Sequence, residues 1–169
     1  MTTPGAVDAS APFTPQARHL AVVSGGSGDP SQTRMLAERM AESASAALSE
    51  HGVVPQIHLI TLRELATDIA QALVTFAISP ALRAALDEVA QADAVIAVSP
   101  TYKASYSGLF KAFFDLLEEE SLAGVPVLIA VRCDMLPAFR DFAGEDWTEL
   151  PALAEAVESW GLGVVQVAA

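Results

Sequence analysis

The feature that most constrains the fold is a short apolar run that ends in a glycine-rich loop and leads into an amphipathic helix. Leu20-Ala21-Val22-Val23 is apolar throughout and ends in two β-branched residues, which is typical of a strand buried on both faces. The loop Ser24-Gly25-Gly26-Ser27-Gly28-Asp29-Pro30 follows it. From Ser31 to Leu48, apolar residues recur at helical spacing, and His51-Gly52 ends the pattern. A strand, a loop and a helix in this order predict the first unit of an α/β fold.

Strands and helices continue to alternate along the rest of the chain. After Thr61–Leu65, the chain enters a segment without a clear pattern. Because helical connections return the chain to the same edge of a sheet, the strands are expected to pair in parallel through right-handed crossovers. The predicted fold class is α/β, a flavodoxin-like three-layer sandwich with a parallel five-stranded sheet in the order 2-1-3-4-5. The further strands are predicted at Val53–Ile60, Ala94–Val98, Val125–Val131 and Gly163–Val167, and the further helices at Ala81–Ala92, Leu109–Leu117 and around Leu150 to Trp160.

The length of the chain predicts one domain, since 169 residues can bury most of a sizeable apolar core. The segment Met1–Arg18 is rich in Thr, Pro, Ala and Ser and has neither a basic start nor an apolar stretch, which argues against a signal peptide. We therefore expect a flexible N-terminal segment over residues 1–18 and a flavodoxin-like domain over residues 19–169.

The charge of the chain excludes several classes of partner. The formal net charge is -12, and the Lys and Arg residues are scattered singly, so neither nucleic acid nor an anionic membrane surface is an expected partner. No apolar run reaches the roughly 20 residues that a membrane-spanning helix needs. The lone cysteine, Cys133, cannot form an internal disulfide, which fits a cytoplasmic protein.

The first loop has the composition of a phosphate-binding loop. Its hydroxyl groups can donate hydrogen bonds, its glycines let backbone N–H groups approach an anion, and the helix that begins near Ser31 adds its positive end. Arg34 can add charge. A plain turn in which Ser31 only caps the helix fits the same residues. Neither a Walker A sequence nor G-x-G-x-x-G is present, so the loop favours a mononucleotide phosphate over a triphosphate or a dinucleotide.

The second informative loop follows the buried strand Ala94–Val98. Pro100 to Gly108 contains two aromatic rings, a cation and several backbone donors, a set that suits a planar heteroaromatic ligand. An ordinary strand-to-helix turn with exposed tyrosines fits it as well. In the predicted strand order, the loops after the first and third strands meet where the order reverses, which is where such sheets bind ligands.

These residues resemble those of a known family. Ser99 to Lys111, followed by Phe113-Phe114-Asp115-Leu116-Leu117, closely resembles the second flavin loop of NAD(P)H-dependent FMN reductases. Ser24 to Thr33 is similar to the first loop of that family, with a serine after the first strand and Ser-x-Thr at the helix start. The resemblance runs from about Leu20 to Val131 and is strongest to the two-component flavin reductases, which supply reduced FMN to monooxygenases.

The resemblance implies a cofactor, a reaction and a set of binding residues. It implies NADH or NADPH as hydride donor, flavin as acceptor and a homodimer or homotetramer. Hydride transfer needs positioning and stacking more than a protein acid or base, so no catalytic side chain is predicted. By resemblance, the FMN phosphate contacts Ser24, Ser31, Gln32 and Thr33, the isoalloxazine ring contacts Pro100, Thr101, Tyr102 and Lys103, and Ser105 to Gly108 lie near the ring.

The chain departs from the family pattern after Val131. Relatives commonly continue into a Gly-Gly-Thr loop that completes the flavin site, whereas this chain continues with Arg132-Cys133-Asp134-Met135. Three alternatives stay open: a flavodoxin-like FMN-binding electron carrier, an FMN-dependent quinone, azo or metal-ion reductase, and a domain that has lost flavin.

The sequence predicts no metal site. Its three histidines, His19, His51 and His58, show no ligand spacing.

Overall fold

The computed structural model describes residues 16–103, 105–132 and 167–168, and its centre is a sheet of parallel strands. The strands are β1 (Gln16–Ser24), β2 (Val53–Thr61), β3 (Ala94–Tyr102), β4 (Ser105–Tyr106), β5 (Val127–Arg132) and β6 (Val167–Ala168). The parallel strands lie in the order β2-β1-β3-β5-β6, and the two-residue strand β4 pairs antiparallel with the end of β3. Counted without β4, this is the predicted order 2-1-3-4-5, and the α/β fold class is confirmed.

Helices cover both faces of the sheet. They are α1 (Gln32–Glu50), α2 (Ala66–Thr75), α3 (Pro80–Ala90) and α4 (Gly108–Phe114), and a 3-10 turn, Leu62–Leu65, precedes α2. Side chains alternate along β1, so Leu20 and Val22 pack with α1 while Ala21 and Val23 pack with the other three helices. The strands at the centre are therefore apolar on both faces, which explains their unbroken apolar sequence.

The segment without a clear sequence pattern contains a helix. In α2, Ile69 and Ala72 are buried, while Leu73, Val74 and the following Phe76 are exposed. Apolar residues thus occur on both the covered and the open side of α2, and this blurs the helical period on which sequence prediction depends. The helix ends where Phe76 adopts the left-handed conformation, with φ 59°.

Two other elements differ in length from their prediction. Helix α4 ends at Phe114 rather than Leu117, because the chain turns after Asp115 while Leu116 and Leu117 still pack against the core. Strand β1 begins at Gln16, since its pairing with β2 extends back to the pair Gln16 and Val53.

Several predictions fall on residues 1–15, 133–166 and 169, which lie outside the described residues. They are most of the N-terminal segment, the helix around Leu150 to Trp160 and the chain after Arg132, including Cys133. Within the described ranges, no single helix is long and apolar enough to cross a membrane. The segments Leu62–Thr75 and Pro80–Ala90 reach that length and apolar composition only when they are taken together, and the chain bends by 93° between them.

Asp93 fixes the start of β3 against β1. Its carboxylate accepts hydrogen bonds from the His19 backbone N–H at 2.8 Å and from Arg18 Nη1 at 2.8 Å. The His19 N–H, with Arg18 beside it, holds the pKa of Asp93 below its usual range. A lowered pKa means that this stabilisation is present above about pH 4, the unfolded value, and is lost as the pH falls through the folded pKa.

Asp93→Ala is expected to lower the free energy of unfolding by about 1 to 2 kcal/mol at neutral pH, because two charge-assisted hydrogen bonds are lost at a partly exposed site. Urea unfolding measures the loss. Glu119→Ala, which removes the same charge from an exposed position, serves as the control and should change stability by less than about 0.5 kcal/mol. Equal losses of stability in the two variants would show that Asp93 acts only through its negative charge and not through its two hydrogen bonds.

Candidate functional site

The two loops singled out in the sequence meet at one edge of the sheet. Strands β1 and β3 are neighbours, Ser24 pairs with Val98, and both loops leave the carboxyl ends of these strands. The chain moves outward from β1 to β2 and then crosses to β3 on the other side, so the strand order reverses between β1 and β3. A hydrogen bond of 2.8 Å from the Gly25 N–H to the Val98 carbonyl joins the first loop to the third strand. Ligands of open α/β sheets bind at such a point.

The first loop folds tightly over the start of α1. Ser31 is the N-cap, and its Oγ accepts a hydrogen bond of 3.2 Å from the Arg34 N–H. Thr33 is buried and Gln32 is exposed. A Cβ atom added to Gly26 would lie only 2.3 Å from Ser31 Oγ and 2.8 Å from Thr33 Cβ. Ser31 therefore caps α1, and the same hydroxyl also lies directly against Gly26 of the loop.

Ser24 supplies the clearest indication of a ligand. Its side chain is fully buried, and its Oγ has no hydrogen-bond partner among the described residues. An unpaired buried hydroxyl costs about 1 to 3 kcal/mol, so native proteins normally pair such groups with protein, water or ligand. At the end of β1, where the glycine-rich loop begins, this hydroxyl suits an anion.

The cationic side chains near the first loop are paired with carboxylates. Arg34 Nε lies 2.9 Å from Glu38 Oε1, and the hydrogen bond to Glu38 raises the pKa of Arg34. Arg63 lies 2.9 Å from Asp29 Oδ2. The guanidinium of Arg34, which the sequence suggested as a positive charge for the loop, is therefore paired with Glu38, one helical turn along α1. The donors within the loop itself are mainly hydroxyl and backbone N–H groups.

The second loop is a small hairpin at the end of β3. Pro100 is buried and Thr101 half-buried, while Tyr102 and Lys103 are exposed. Lys103 has φ 52°, the left-handed conformation that turns the chain back so that Ser105 and Tyr106 pair with β3. The Tyr102 hydroxyl lies 2.8 Å from Ser27 Oγ and so connects the two loops.

Ser107 joins the two loops more firmly than the sequence indicates. Its Oγ caps α4 by accepting from the Phe110 N–H at 3.1 Å and donates to the Gly25 carbonyl at 3.2 Å. Its own N–H donates to the buried Ser99 Oγ at 3.0 Å. The sequence signal at Ser107 is that of a helix cap; the bond to Gly25 arises because β1 and β3 are adjacent. Gly108, the next residue, is exposed at the start of α4.

Ser107→Ala is expected to lower stability by about 1 to 2 kcal/mol through loss of the cap. It is also expected to weaken binding of the FMN that the sequence resemblance implies, about tenfold, through loss of the Gly25 contact. Ser79→Ala is a matched control, because Ser79 Oγ caps α3 by the same contact with the Leu82 N–H, at 3.1 Å. Ser79→Ala should lose no more stability than Ser107→Ala, because Ser79 Oγ makes only the capping bond, and it should leave the flavin affinity unchanged. Flavin titration and urea unfolding of both variants make the comparison, and equal flavin affinities would refute the coupling of the loops through Ser107.

Comparison with known proteins agrees with this geometry. The family model described as NADPH-dependent FMN reductase matches residues 19–136. Over 111 residues, the chain is 39% identical to the NADH-dependent FMN reductase SfnF of Pseudomonas putida, and the match covers 66% of this chain and 58% of that protein. It is 35% identical over 112 residues to the NADH-dependent FMN reductase SfnE of the same species, with the same coverage.

Solved structures give the same result. An oxidoreductase from Corynebacterium diphtheriae superposes with a TM-score of 0.68 and 31% identity, covering 89% of this chain and 78% of that one. The apo form of the NADH:FMN oxidoreductase EMOB superposes with a TM-score of 0.60 and 26% identity, covering 89% and 71%. The resemblance seen in the two loops is therefore confirmed: this chain, which spans 58% of the length of the Pseudomonas putida reductases it matches, belongs to the NADPH-dependent FMN reductase family.

Proposed function

We propose that the protein is an NAD(P)H-dependent FMN reductase that transfers a hydride from NADH or NADPH to FMN. The observation that carries the proposal is the buried, unpaired hydroxyl of Ser24 at the point where the two loops meet. Family membership and the names of the Pseudomonas relatives, both NADH-dependent FMN reductases, support it.

In this proposal, the first loop binds the phosphate of FMN. Ser24, Ser31 and Thr33 contribute hydroxyls, the loop glycines contribute backbone N–H groups, and the N-terminus of α1 contributes its positive end. Gln32, which is exposed beside them, is within the same segment and is assigned to the phosphate by resemblance.

The second loop binds the flavin ring in this proposal. Pro100, Thr101, Tyr102 and Lys103 form the contact surface, and Ser105 and Gly108 lie at its margin. When bound, FMN supplies the hydride acceptor. The residues bind and orient the two partners of the reaction, which is the main requirement of hydride transfer, so we assign no catalytic acid or base.

The direct test is anaerobic mixing of the purified protein with FMN and either NADH or NADPH, following nicotinamide oxidation and bleaching of the flavin band. The expected result is nicotinamide oxidation that saturates with FMN concentration. Running both nicotinamides determines the preferred donor. Binding of FMN without nicotinamide oxidation would refute the reductase, and no binding of flavin would refute the cofactor.

Ser31→Ala sharpens this test, with Ser79→Ala as the control. Both variants lose a helix cap, but only Ser31 lies against the glycines of the first loop. The expected result is a higher FMN concentration at half-maximal rate for Ser31→Ala, by about tenfold, and an unchanged value for Ser79→Ala.

The second candidate is a flavodoxin-like electron carrier that holds FMN without oxidising nicotinamide. The net charge of -12 favours it, because an acidic surface suits docking to a basic redox partner. The same experiment separates the two candidates, since a carrier binds FMN and leaves nicotinamide unchanged. A quinone, azo or metal-ion reductase would oxidise nicotinamide with FMN retained, and adding each acceptor to the assay distinguishes it.

We further propose that the protein acts in the cytoplasm as a homodimer or homotetramer and passes reduced flavin to a monooxygenase. The family resemblance supports the assembly and the monooxygenase partner, and the lone cysteine, Cys133, fits the cytoplasm. Light scattering after gel filtration measures the oligomeric state, and a monomer would refute the assembly. Product formation by a flavin-dependent monooxygenase mixed with the protein, NADH and FMN tests the transfer of flavin.

A further inference from the structure

Three metal-ligating side chains converge away from the two loops. They come from three elements: His19 from β1, His58 from β2 and Glu88 from α3. His19 lies five residues before Ser24, so the cluster is about 16 Å along β1 from the proposed phosphate site at a rise of about 3.3 Å per residue. The proposed flavin site uses none of these residues.

Strand register explains why the histidines meet. His19 pairs with Gln56, and Ala21 pairs with His58, so the two histidines are diagonal neighbours on adjacent strands. Alternation places them on the face that carries Ala21 and Ile60, which is the face covered by α3. Glu88 lies on α3 just before the buried Val89, and this position brings its carboxylate to the two rings.

The distances between the ligand atoms are those of a metal site that needs little rearrangement. Glu88 Oε2 lies 2.8 Å from His19 Nε2 and 3.0 Å from His58 Nδ1, and the three ligand atoms all lie within 4.8 Å of one another. Ligand atoms of a tetrahedral Zn²⁺ with bonds of about 2.0 to 2.1 Å are about 3.4 Å apart. Small side-chain rotations therefore convert the observed spacing into zinc coordination.

The cluster is poorly satisfied by hydrogen bonds among its own members. His19 Nε2 and Glu88 Oε2 are buried, and within the described part of the chain neither has a hydrogen-bond partner, although the two atoms are close. An imidazole nitrogen and a carboxylate oxygen that lack an aligned hydrogen-bond partner each have a lone pair with which they can bind a metal ion. The two imidazole rings meet edge to face with 4.3 Å between their centroids, and each ring has one nitrogen within 3.0 Å of Glu88 Oε2.

We propose that His19, His58 and Glu88 bind one Zn²⁺ ion that fastens α3 to strands β1 and β2. Two imidazoles and one carboxylate form a ligand set that prefers zinc over Mg²⁺ or Ca²⁺, which take oxygen ligands. The half-exposed position of His58 leaves room for water as a fourth ligand. The net charge of -12 favours cation binding in general.

Calorimetric titration of untagged, chelator-treated full-length protein with ZnCl₂ tests the proposal. The expected result is one Zn²⁺ per chain, with affinity at least about 30-fold lower in His19→Gln, His58→Gln and Glu88→Gln. His51→Gln is the matched control, because His51 is exposed at the end of α1 and bonds to the Ala47 carbonyl. The affinity of His51→Gln for Zn²⁺ should equal that of the unmodified protein.

Thermal unfolding gives a second readout that does not depend on flavin. Zn²⁺ should raise the melting temperature of the unmodified protein and of His51→Gln but not that of His58→Gln, a variant at a half-exposed site that is expected to fold. Absence of stoichiometric binding would overturn the proposal. So would unchanged affinity in His58→Gln and Glu88→Gln, or an equal loss in His51→Gln.

Discussion

Gly26→Ala is expected to lower the affinity for FMN by at least about 100-fold, equivalent to about 2.7 kcal/mol. The added Cβ would lie 2.3 Å from Ser31 Oγ and 2.8 Å from Thr33 Cβ, so the loop or the start of α1 must move. Such a movement displaces the two hydroxyls proposed to contact the phosphate and disturbs the backbone N–H groups between them. Quenching of flavin fluorescence by the purified variant measures the affinity.

Gly28→Ala is the control for this prediction. Gly28 belongs to the same loop but is exposed, and the nearest atom to an added Cβ is the Pro30 carbonyl oxygen at 3.3 Å. A shift of a few tenths of an ångström accommodates it, so the affinity for FMN should fall by less than about fivefold. A Gly26→Ala protein that binds FMN as tightly as Gly28→Ala would contradict the assignment of this loop to the phosphate.

Phe113→Ala is expected to lower the free energy of unfolding by about 3 to 5 kcal/mol, the largest stability effect predicted for this protein. Phe113 is fully buried where α4 meets the sheet and packs edge to face on Phe114, with 5.5 Å between ring centroids. Its removal deletes a large apolar side chain and leaves a cavity. Urea unfolding followed by circular dichroism measures the loss.

Phe76→Ala removes the same atoms from a surface position and is the matched control. Phe76 is 88% exposed at the end of α2, so its truncation should change stability by less than about 0.5 kcal/mol. Losses of similar size in the two variants would mean that α4 is not packed on the core as described.

The strand order and both loops could be predicted from the sequence because the signals there are local. The apolar residues Val22 and Val23 are followed directly by a glycine-rich loop, and the apolar strand Ala94–Val98 is followed directly by the second loop. A parallel sheet then requires their carboxyl ends to lie at one edge. The sequence signal for the cap at Ser107 is also local, since capping depends on the next three residues alone.

The features that the sequence did not predict depend on contacts between distant segments. The bond from Ser107 to Gly25 requires the pairing of β1 with β3, and the convergence of His19, His58 and Glu88 requires both the β1–β2 register and the docking of α3. The spacing of residues along the chain does not reveal such contacts. Helix α2 was missed for a different reason, because its exposed Val74 obscures the apolar period.

Comparing the affinities of FMN and riboflavin tests most directly whether the loop from Ser24 to Arg34 binds a phosphate. The two ligands share the isoalloxazine ring and differ by the phosphate, so the difference in their affinities reports on the first loop alone. We predict that FMN binds at least about 100-fold more tightly than riboflavin, because charge-assisted hydrogen bonds to several donors are lost with the phosphate. Equal affinities for the two flavins would contradict a phosphate site in this loop.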